Sequence, residues 1–296
     1  MGPPMIDRVP REVHTLRPAA VDAARSAEVA KSPQTEHPAY RLAFQDLDFL
    51  LREDLRPVRL QLELLKPELM LAEAGIASTL VIYGSARIPA PEHADALIAA
   101  ARTPAERAVA ERLAAKSRFY DEARRLAWLA SSSPCGPDGR RDFVVCSGGG
   151  PSIMEAANRG AAEAGAPSIG FNVVLPHEQR PNPYVTPSLS FQFHYFAIRK
   201  MHFLMRARAV AVFPGGYGTL DELFELLTLV QTGKMKAVPL VLFGRDYWSR
   251  IVNFPALADE GVIDPGDLDL VQMVETADEA WAHICRATGA DAPAPA

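Results

Sequence analysis

The stretch AVAVFPGGYGTLDELFELLTLVQ, residues 209–231, decides the fold of this chain. Ala209 to Phe213 form a short apolar run, which is typical of a strand buried on both faces of a parallel sheet. The glycine-rich segment Pro214 to Gly218 predicts a loop, and Thr219 to Gln231 carry apolar residues at helical spacing. The stretch therefore predicts a strand, a loop and a helix in direct succession.

The same order of apolar run, turn and helix recurs along the chain. Further strands are predicted at 78–83, 143–146, 168–175, 189–193 and 238–243, and helices at 91–131, 152–164, 198–206 and up to Ala287. Parallel strands need crossover helices that pack on the sheet. The expected fold is therefore α/β and Rossmann-like, with three layers: a parallel sheet and helices on both of its faces.

Outside this core, the sequence predicts an added helical region and two flexible ends. Residues 1–40 are rich in proline, alanine and charge without sustained periodicity, which indicates a flexible N-terminal arm. Apolar residues recur at helical spacing between 40 and 74, so an N-terminal helical extension is expected there. We predict a single domain over residues 41–289, extension included, and a flexible tail at 290–296.

Composition and charge narrow the class of protein. The chain has 296 residues and a formal net charge of −5, which disfavours a surface that follows a nucleic-acid backbone. No apolar run approaches the roughly 20 residues of a membrane helix, and residues 1–12 lack the apolar stretch of a signal peptide, so a cytoplasmic location is predicted. Cys135, Cys146 and Cys285 are too widely spaced to indicate a disulfide framework or a metal site.

Two glycine loops are expected at the carboxyl ends of strands. They are Ser147 to Ser152 and Pro214 to Thr219, and each is followed by a helix whose free amides could hold a phosphate or a ribose. Neither matches a standard nucleotide fingerprint, because Ile153 replaces the third glycine of GxGxxG in the first and the second lacks a GK[ST] ending. A dinucleotide dehydrogenase or a P-loop kinase is disfavoured, while a purely structural turn stays open for either loop.

Charged residues beside these loops allow two interpretations each. Thr219 with Glu222, like Ser152 with Glu155, fits the capping box, in which the glutamate only bonds the start of its helix. The pair Arg199-Lys200 is expected at a helix start, where cations are unfavourable unless an anion compensates them. The alternative is a solvated basic pair.

The run from Arg199-Lys200 to the motif PGGYGTLDE at 214–222 resembles the signature of the LONELY GUY (LOG) family, formerly often labelled lysine decarboxylases. The resemblance extends roughly over 79–243 and includes YGSAR at 83–87, GGGP at 148–151, IMEA at 153–156 and LPHE at 175–178. Known members are cytokinin riboside 5′-monophosphate phosphoribohydrolases and broader nucleotide nucleosidases. The resemblance implies hydrolysis of the N-glycosidic bond of nucleoside 5′-monophosphates, AMP-like or cytokinin riboside monophosphates, to a free base and ribose 5-phosphate.

The resemblance also implies roles for individual residues. Arg199 and Glu222 correspond to the catalytic pair of the family. The expected substrate-binding residues are Gly84, Ser85, Gly148, Gly149, Gly150, Met154, Glu178, Lys200, Gly215, Gly216, Tyr217, Gly218, Thr219, Leu220, Asp221 and Thr228. No cofactor and no metal is expected, and the partners implied are a nucleotide substrate and a second copy of the chain, in a dimer or a dimer-based oligomer.

The sequence departs from the compact form of the family at several points. Asp221 stands where many cytokinin-activating members have glutamate. The N-terminal extension and the region 91–117 exceed the compact form, so the chain is more similar to the longer bacterial branch. Specificity for cytokinin precursors does not follow from the resemblance.

Two other functions are compatible with parts of the same pattern. The same general fold serves proteins that carry nucleotides or molybdenum cofactor without turnover, but such a carrier needs no arginine and glutamate pair. Lysine decarboxylation needs a lysine that binds pyridoxal phosphate, and no supporting motif surrounds any candidate. The candidates are Lys31, Lys66, Lys116, Lys200, Lys234 and Lys236.

Overall fold

A computed structural model describes residues 17–133, 136, 138–176 and 180–290. By its internal contacts the chain divides into two units, Met1–Leu62 and Glu63–Ala296. The described part of the first unit is a series of short helices. They are α1 (Ala19–Ala27), α2 (Pro33–Glu36), α3 (Leu47–Leu50) and the start of α4 (Arg56–Glu73), with 3₁₀ turns at Pro38–Tyr40, Ala43–Gln45 and Glu53–Leu55. The domain limits drawn from the sequence stay a prediction.

The second unit alternates strands and helices. Its strands are β1 (Thr79–Tyr83), β2 (Val144–Ser147), β3 (Ser168–Val173), β4 (Ser190–Phe193), β5 (Ala207–Val212), β6 (Leu240–Phe243) and β7 (Gln272–Val274). Its helices after α4 are α5 (Ala94–Ala99), α6 (Pro104–Ala114), α7 (Arg118–Ser131), α8 (Ile153–Glu163), α9 (Phe196–Met205), α10 (Tyr217–Gln231), α11 (Arg245–Ile251), α12 (Phe254–Asp259) and α13 (Ala277–Thr288). None of the described helices combines the length and the apolar character needed to cross a membrane.

All seven strands pair in parallel, in the order β4-β3-β2-β1-β5-β6-β7. Strand β1 lies between β2 and β5, and Val81 at its centre is opposite Cys146 on one side and Val210 on the other. The order of strands reverses direction at this point. In sheets of this kind ligands bind in the crevice beyond the carboxyl ends of the strands where the order reverses.

Helices cover both faces of the sheet. Along β1, Leu80 and Ile82 point to one face, which packs on α7, α8 and α13, while Val81 and Tyr83 point to the other, which packs on α9, α10 and α11. These strand residues are buried on both sides, as continuous apolar runs in parallel strands require. The Rossmann-like α/β fold with three layers is confirmed.

The structure differs from the sequence expectation in two elements. Strand β7 was missed, because it has only three residues and begins with the exposed Gln272. The helix expected over 91–131 is three helices, α5, α6 and α7. One of the breaks is at Thr103, whose side chain caps α6 in a reciprocal bond pair with Glu106.

Candidate active site

A cavity of about 740 Å³ opens at the carboxyl ends of β1 and β5, where the strand order reverses. Its wall contains most of the residues expected from the sequence. They are Gly84, Ser85, Gly148, Gly150, Met154, Arg199, Gly215, Gly216, Tyr217, Gly218, Thr219, Leu220 and Glu222. The loops after three different strands thus converge on one space.

Arg199 is fixed in the cavity wall by contacts on several sides. Its Nε donates to the carbonyl of Phe171, 2.7 Å away, and its guanidinium lies 4.9 Å from the ring centroid of Phe203. A Cβ at Gly148 would stand 2.7 Å from Arg199 Nη2, so this glycine leaves the space that the guanidinium fills. The side chain is 11% exposed and oriented before any ligand binds.

Glu222 faces Arg199 from helix α10, with 3.5 Å between Oε1 and Nη1. Helix α10 begins at Tyr217 after Gly216, so Thr219 lies within its first turn and Glu222 in its second. A capping box would need Thr219 before the first helical residue. The capping interpretation of Glu222 is therefore wrong, and its carboxylate is directed into the site.

The other potential capping box does not form either. Ser152 has φ of 66°, and its hydroxyl donates to the carbonyl of Ile88. Glu155 accepts a hydrogen bond from the Tyr120 hydroxyl at 3.0 Å. The turn after β2 is thus shaped by contacts with neighbouring elements rather than by its own helix start.

Burial dominates the electrostatics of Glu222. It raises the pKa of the carboxyl group from 4.5 to about 7, with the neighbouring Asp221 acting in the same direction and Arg199 opposing it. A carboxyl group whose pKa lies near neutrality can change its protonation state under working conditions.

Lys200 lies beside the cavity rather than in its wall. Its Nζ is 3.0 Å from carboxylate oxygens of both Asp221 and Glu225. The sequence suggested that an anion compensates the basic pair at the start of α9. Carboxylates of helix α10 compensate it instead, with Glu222 opposite Arg199 and the other two opposite Lys200.

The loop before α10 depends on glycine at position 215. A Cβ there would stand 2.1 Å from Thr219 Oγ1, so any larger residue would displace the first turn of the helix. The Tyr247 hydroxyl donates to the Gly215 carbonyl at 2.5 Å and holds the loop from the other side. Helix α10 has 15 residues and no acidic residue in its first turn, which leaves its amides suited to an anion.

A buried polar network holds the loop after β2. Asn158 Oδ1 accepts hydrogen bonds from Ser147 Oγ at 2.7 Å and from Asn182 Nδ2 at 2.9 Å. Asn182 also bonds the loop itself, with its backbone amide donating to Gly149 and its side chain to Gly150. Gly149 belongs to this loop, has a φ of 70° and does not line the cavity.

Four of the expected binding residues do not line the cavity: Gly149, Lys200, Asp221 and Thr228. Thr228 is exposed further along α10, and its hydroxyl donates to the Phe224 carbonyl at 2.7 Å. Glu178 lies outside the described residues. Its expected contact with the substrate stays a prediction.

Sequence reasoning missed several residues of the wall, and Asn172 is the most informative. It is the penultimate residue of the apolar strand β3, and its Nδ2 is buried without a hydrogen-bond partner among the described residues. A buried donor left unpaired is unfavourable unless a ligand completes it. The sequence signal that could have identified Asn172 is a polar residue near the end of an apolar run. Arg87, Phe196, Tyr247 and Ile251 also line the cavity.

The fold and the cavity define a Rossmann-like protein with an arginine and a glutamate paired where its strand order reverses. Residues 154–284 match the protein family described as possible lysine decarboxylase. A pyrimidine/purine nucleotide 5′-monophosphate nucleosidase of Escherichia coli is 32% identical over 116 residues, 36% of this chain and 25% of that protein. A cytokinin riboside 5′-monophosphate phosphoribohydrolase of Arabidopsis thaliana is 30% identical over 130 residues, 43% of this chain and 58% of that protein.

These matches confirm the resemblance to the LOG family over the part of the chain that they cover. The matched part spans about a quarter of the bacterial relative and less than two thirds of the plant relative. The solved structure of a molybdenum cofactor carrier protein from Chlamydomonas reinhardtii is 18% identical, over 71% of this chain and 99% of that chain, with a TM-score of 0.43. A likeness at that level carries no conclusion about function.

Proposed function

We propose that this chain hydrolyses the N-glycosidic bond of nucleoside 5′-monophosphates and releases a free base and ribose 5-phosphate. The observation that carries the proposal is the pairing of Arg199 with Glu222 across the wall of a cavity where the strand order reverses. The test is incubation of the pure protein with purine, pyrimidine and cytokinin riboside monophosphates, followed by chromatography of the products. The substrate that yields free base fastest identifies the preferred base.

In the proposed mechanism Glu222 acts as a carboxylate. Cleavage of a ribosyl N-glycosidic bond develops positive charge on the sugar, as in other glycoside hydrolyses. A nearby carboxylate stabilises this charge or activates the attacking water. The guanidinium group of Arg199 is a planar cation with several donors, so it can orient Glu222 and contact the substrate. The attacking water supplies the hydroxyl group of the ribose 5-phosphate and, overall, the proton that the departing base takes up.

The glycine loop and helix start of α10 are proposed to hold the 5′-phosphate. Gly215, Gly216 and Gly218 line the cavity, and the helix that follows supplies unpaired amides and a partial positive charge. With the phosphate there, the ribose extends along the wall towards Arg199 and Glu222. The phosphate then acts as a fixed handle that positions the sugar.

Activity should rise with pH through a pKa of about 7, the value to which burial raises the Glu222 carboxyl group. The reason is that only the ionised carboxylate can stabilise positive charge. We expect kcat/KM for AMP to fall below this pKa and to level off above it, in a rate profile measured from pH 6 to 9. A rate that decreases as pH rises through 7 would instead make Glu222 the proton donor.

Asn172 should contribute to recognition of the ribose. Asn172 lines the cavity and its Nδ2 has no hydrogen-bond partner among the described residues, so we propose that it donates to a ribose hydroxyl. Asn172→Leu should lower kcat/KM for AMP by about tenfold or more, because one hydrogen bond to the reacting substrate is lost. A deoxy-AMP that lacks the contacted hydroxyl should be a poor substrate of the wild-type protein and lose little further activity in the variant.

The control for this prediction is the set of 2′-deoxy-AMP and 3′-deoxy-AMP. If Asn172→Leu slows AMP and both deoxy substrates by the same factor, the side chain only supports the fold of the wall. If one deoxy substrate is insensitive to the substitution, that hydroxyl is the one contacted.

The described residues of the cavity wall do not suit lysine decarboxylation. No lysine is among the described residues that line it, and Lys200 beside it is held by two carboxylates. A Schiff-base lysine needs access to its cofactor. We therefore do not propose that activity, despite the description of the matched family.

We further propose that two copies of the chain associate through α4 and α9, in the cytoplasm. The helices lie side by side, with Arg206 Nη2 3.1 Å from Glu68 Oε2. Leu65 and Leu69 on α4 are 53% and 58% exposed, and Met201 and Met205 on α9 are 46% and 48% exposed. Residues four apart share a face of a helix, so each helix presents an apolar pair.

Light scattering at micromolar concentration should give at least the mass of a dimer. A dimer interface buries apolar side chains, so the double substitution Leu69→Glu and Met205→Glu should shift the protein towards the monomer. A wild-type protein that is strictly monomeric and fully active would contradict this proposal.

A further inference from the structure

A second cavity, of about 250 Å³, lies on the other side of the glycine loop from the proposed active site. Three cationic side chains line it: Arg112 of α6, Lys116 just after α6 and Arg250 of α11. Gly215 and Tyr247 belong to the walls of both cavities. The two spaces are thus separated by the loop that is proposed to hold the substrate phosphate.

Among the described residues, the positive charges in this cavity have no acidic partner. No carboxylate lines it, and within the described part of the chain none of the three cations forms an ion pair. Lys116 Nζ donates instead to the backbone carbonyl of Arg112 at 2.7 Å. Burial lowers the pKa of Lys116, and Arg250 and Arg112 lower it further because their charges repel the ammonium group.

Three neighbouring cations without a counter-charge are unfavourable in the absence of an anion. Some surface cations of the second unit have acidic partners. Arg118 and Arg125, on the helix that follows, are paired with Glu275 and Asp278. In the cluster, by contrast, three cations share one space that no carboxylate lines among the described residues.

The cavity is built by a part of the chain that the sequence singled out. Residues 91–117 exceed the compact form of the LOG family, and within this segment Val109, Arg112, Leu113 and Lys116 line the cavity. Val109 and Leu113 supply an apolar wall beside the charged groups. The segment thus adds a concave surface that the sheet and its loops alone would not provide.

We propose that this cavity binds a phosphate-bearing anion, at a site separate from that of the substrate 5′-phosphate. Proteins usually bind phosphate oxygens with guanidinium and ammonium groups that converge on one space. Ser85 also lines the cavity and can contribute a hydroxyl.

The site is coupled to the proposed active site through Tyr247, which like Ser85 lines both cavities. Tyr247 donates to the Gly215 carbonyl at 2.5 Å, and the positive charge of Arg250 lies close enough to lower the pKa of Tyr247, against the larger effect of its burial. An anion that draws Arg250 inward would change the environment of the residue that holds the glycine loop. Binding itself is independent of the reaction, whereas any effect on turnover rests on the proposed function.

The anion could come from two sources with the same chemistry. One is the distal phosphate of a nucleotide whose sugar occupies the active-site cavity, since the two cavities share a wall. The other is a separate phosphate-bearing molecule. Kinetics with AMP and ADP distinguish the two.

Binding is tested with inorganic pyrophosphate by titration calorimetry. The variant carries Arg112→Ser, Lys116→Ser and Arg250→Ser, and its matched control removes three exposed cations elsewhere, through Arg102→Ser, Lys234→Ser and Lys236→Ser. We expect wild type and control to bind pyrophosphate alike, and the variant at least about tenfold more weakly, as the loss of charge-assisted contacts requires. Circular dichroism verifies that each protein is folded, and Arg250→Ser alone replaces the triple variant if that one does not fold.

Two results would overturn the proposal: wild-type protein that binds no pyrophosphate, and equal binding by variant and wild type, which would place the anion at the glycine loop. If the variant also loses kcat/KM for ADP and keeps it for AMP, the site takes the distal phosphate of the substrate. If the variant keeps kcat/KM for both AMP and ADP but loses pyrophosphate binding, the site takes a separate anion. A protein without turnover of either nucleotide would contradict the proposed function and leave the calorimetric result valid.

Discussion

Glu222→Gln is expected to lower kcat for AMP hydrolysis by about a hundredfold or more, the scale that positioned charges and general bases supply in other enzymes. Arg199→Ala should have a comparable effect, because it removes the group that faces Glu222 at 3.5 Å. Both side chains lie at strand ends and helix starts rather than in the apolar core. Initial rates of base release, measured with saturating AMP, test this directly.

The matched control is Glu225→Gln, one turn along the same helix. Glu225 faces Lys200 and does not line the cavity, so its loss should leave most of the activity. If Glu225→Gln and Glu222→Gln are equally active, the catalytic role of Glu222 is wrong.

The stability of Glu222→Gln provides a second readout. Burial raises the pKa of this carboxyl group from 4.5 to about 7 in the folded protein, so between these values the folded state binds more protons than the unfolded state. Stability therefore falls as pH rises through this window. Glutamine mimics the protonated form, so at pH 8 its free energy of unfolding should exceed that of the wild type by on the order of 2–3 kcal/mol. This gain in the free energy of unfolding should vanish near pH 4.

Adenosine should be a far poorer substrate than AMP. The 5′-phosphate is proposed to bind the amides that follow Gly215 at the start of α10, and this remote contact positions the sugar for cleavage. Each charge-assisted hydrogen bond contributes on the order of 1.5–3 kcal/mol, so losing two or three lowers kcat/KM by about a hundredfold or more. We expect the loss in kcat as well as in affinity, from steady-state rates measured with both substrates.

Gly215→Ala separates the phosphate contact from other causes. A Cβ at this position would collide with Thr219 and displace the start of α10. The substitution should lower kcat/KM for AMP by a larger factor than for adenosine, because only AMP also loses its phosphate contact. Equal kcat/KM for adenosine and AMP in the wild type would mean that the loop is only a structural turn.

The fold and the location of the site follow from local sequence patterns. Apolar runs such as Ala209 to Phe213, each followed by a turn and a helix, require a parallel sheet with covered faces. Because the carboxyl ends of such strands meet at one edge, the loops at 147–152 and 214–219 were expected to converge, and both line the cavity.

Other features depend on details that a sequence pattern does not determine. Whether Glu222 caps its helix or faces the site depends on where α10 begins, and the structure begins it two residues before Thr219. The unpaired state of Asn172 and the cluster of Arg112, Lys116 and Arg250 depend on the packing of separate segments. No local periodicity encodes such contacts.

The most direct test of the central claim is the mass balance of AMP incubated with the pure protein in phosphate-free buffer, beside Glu222→Gln. We expect the wild type to release adenine and ribose 5-phosphate in equal amounts, and the variant to release almost none. A wild-type protein that binds AMP and returns it unchanged would contradict the proposed hydrolysis and indicate a carrier.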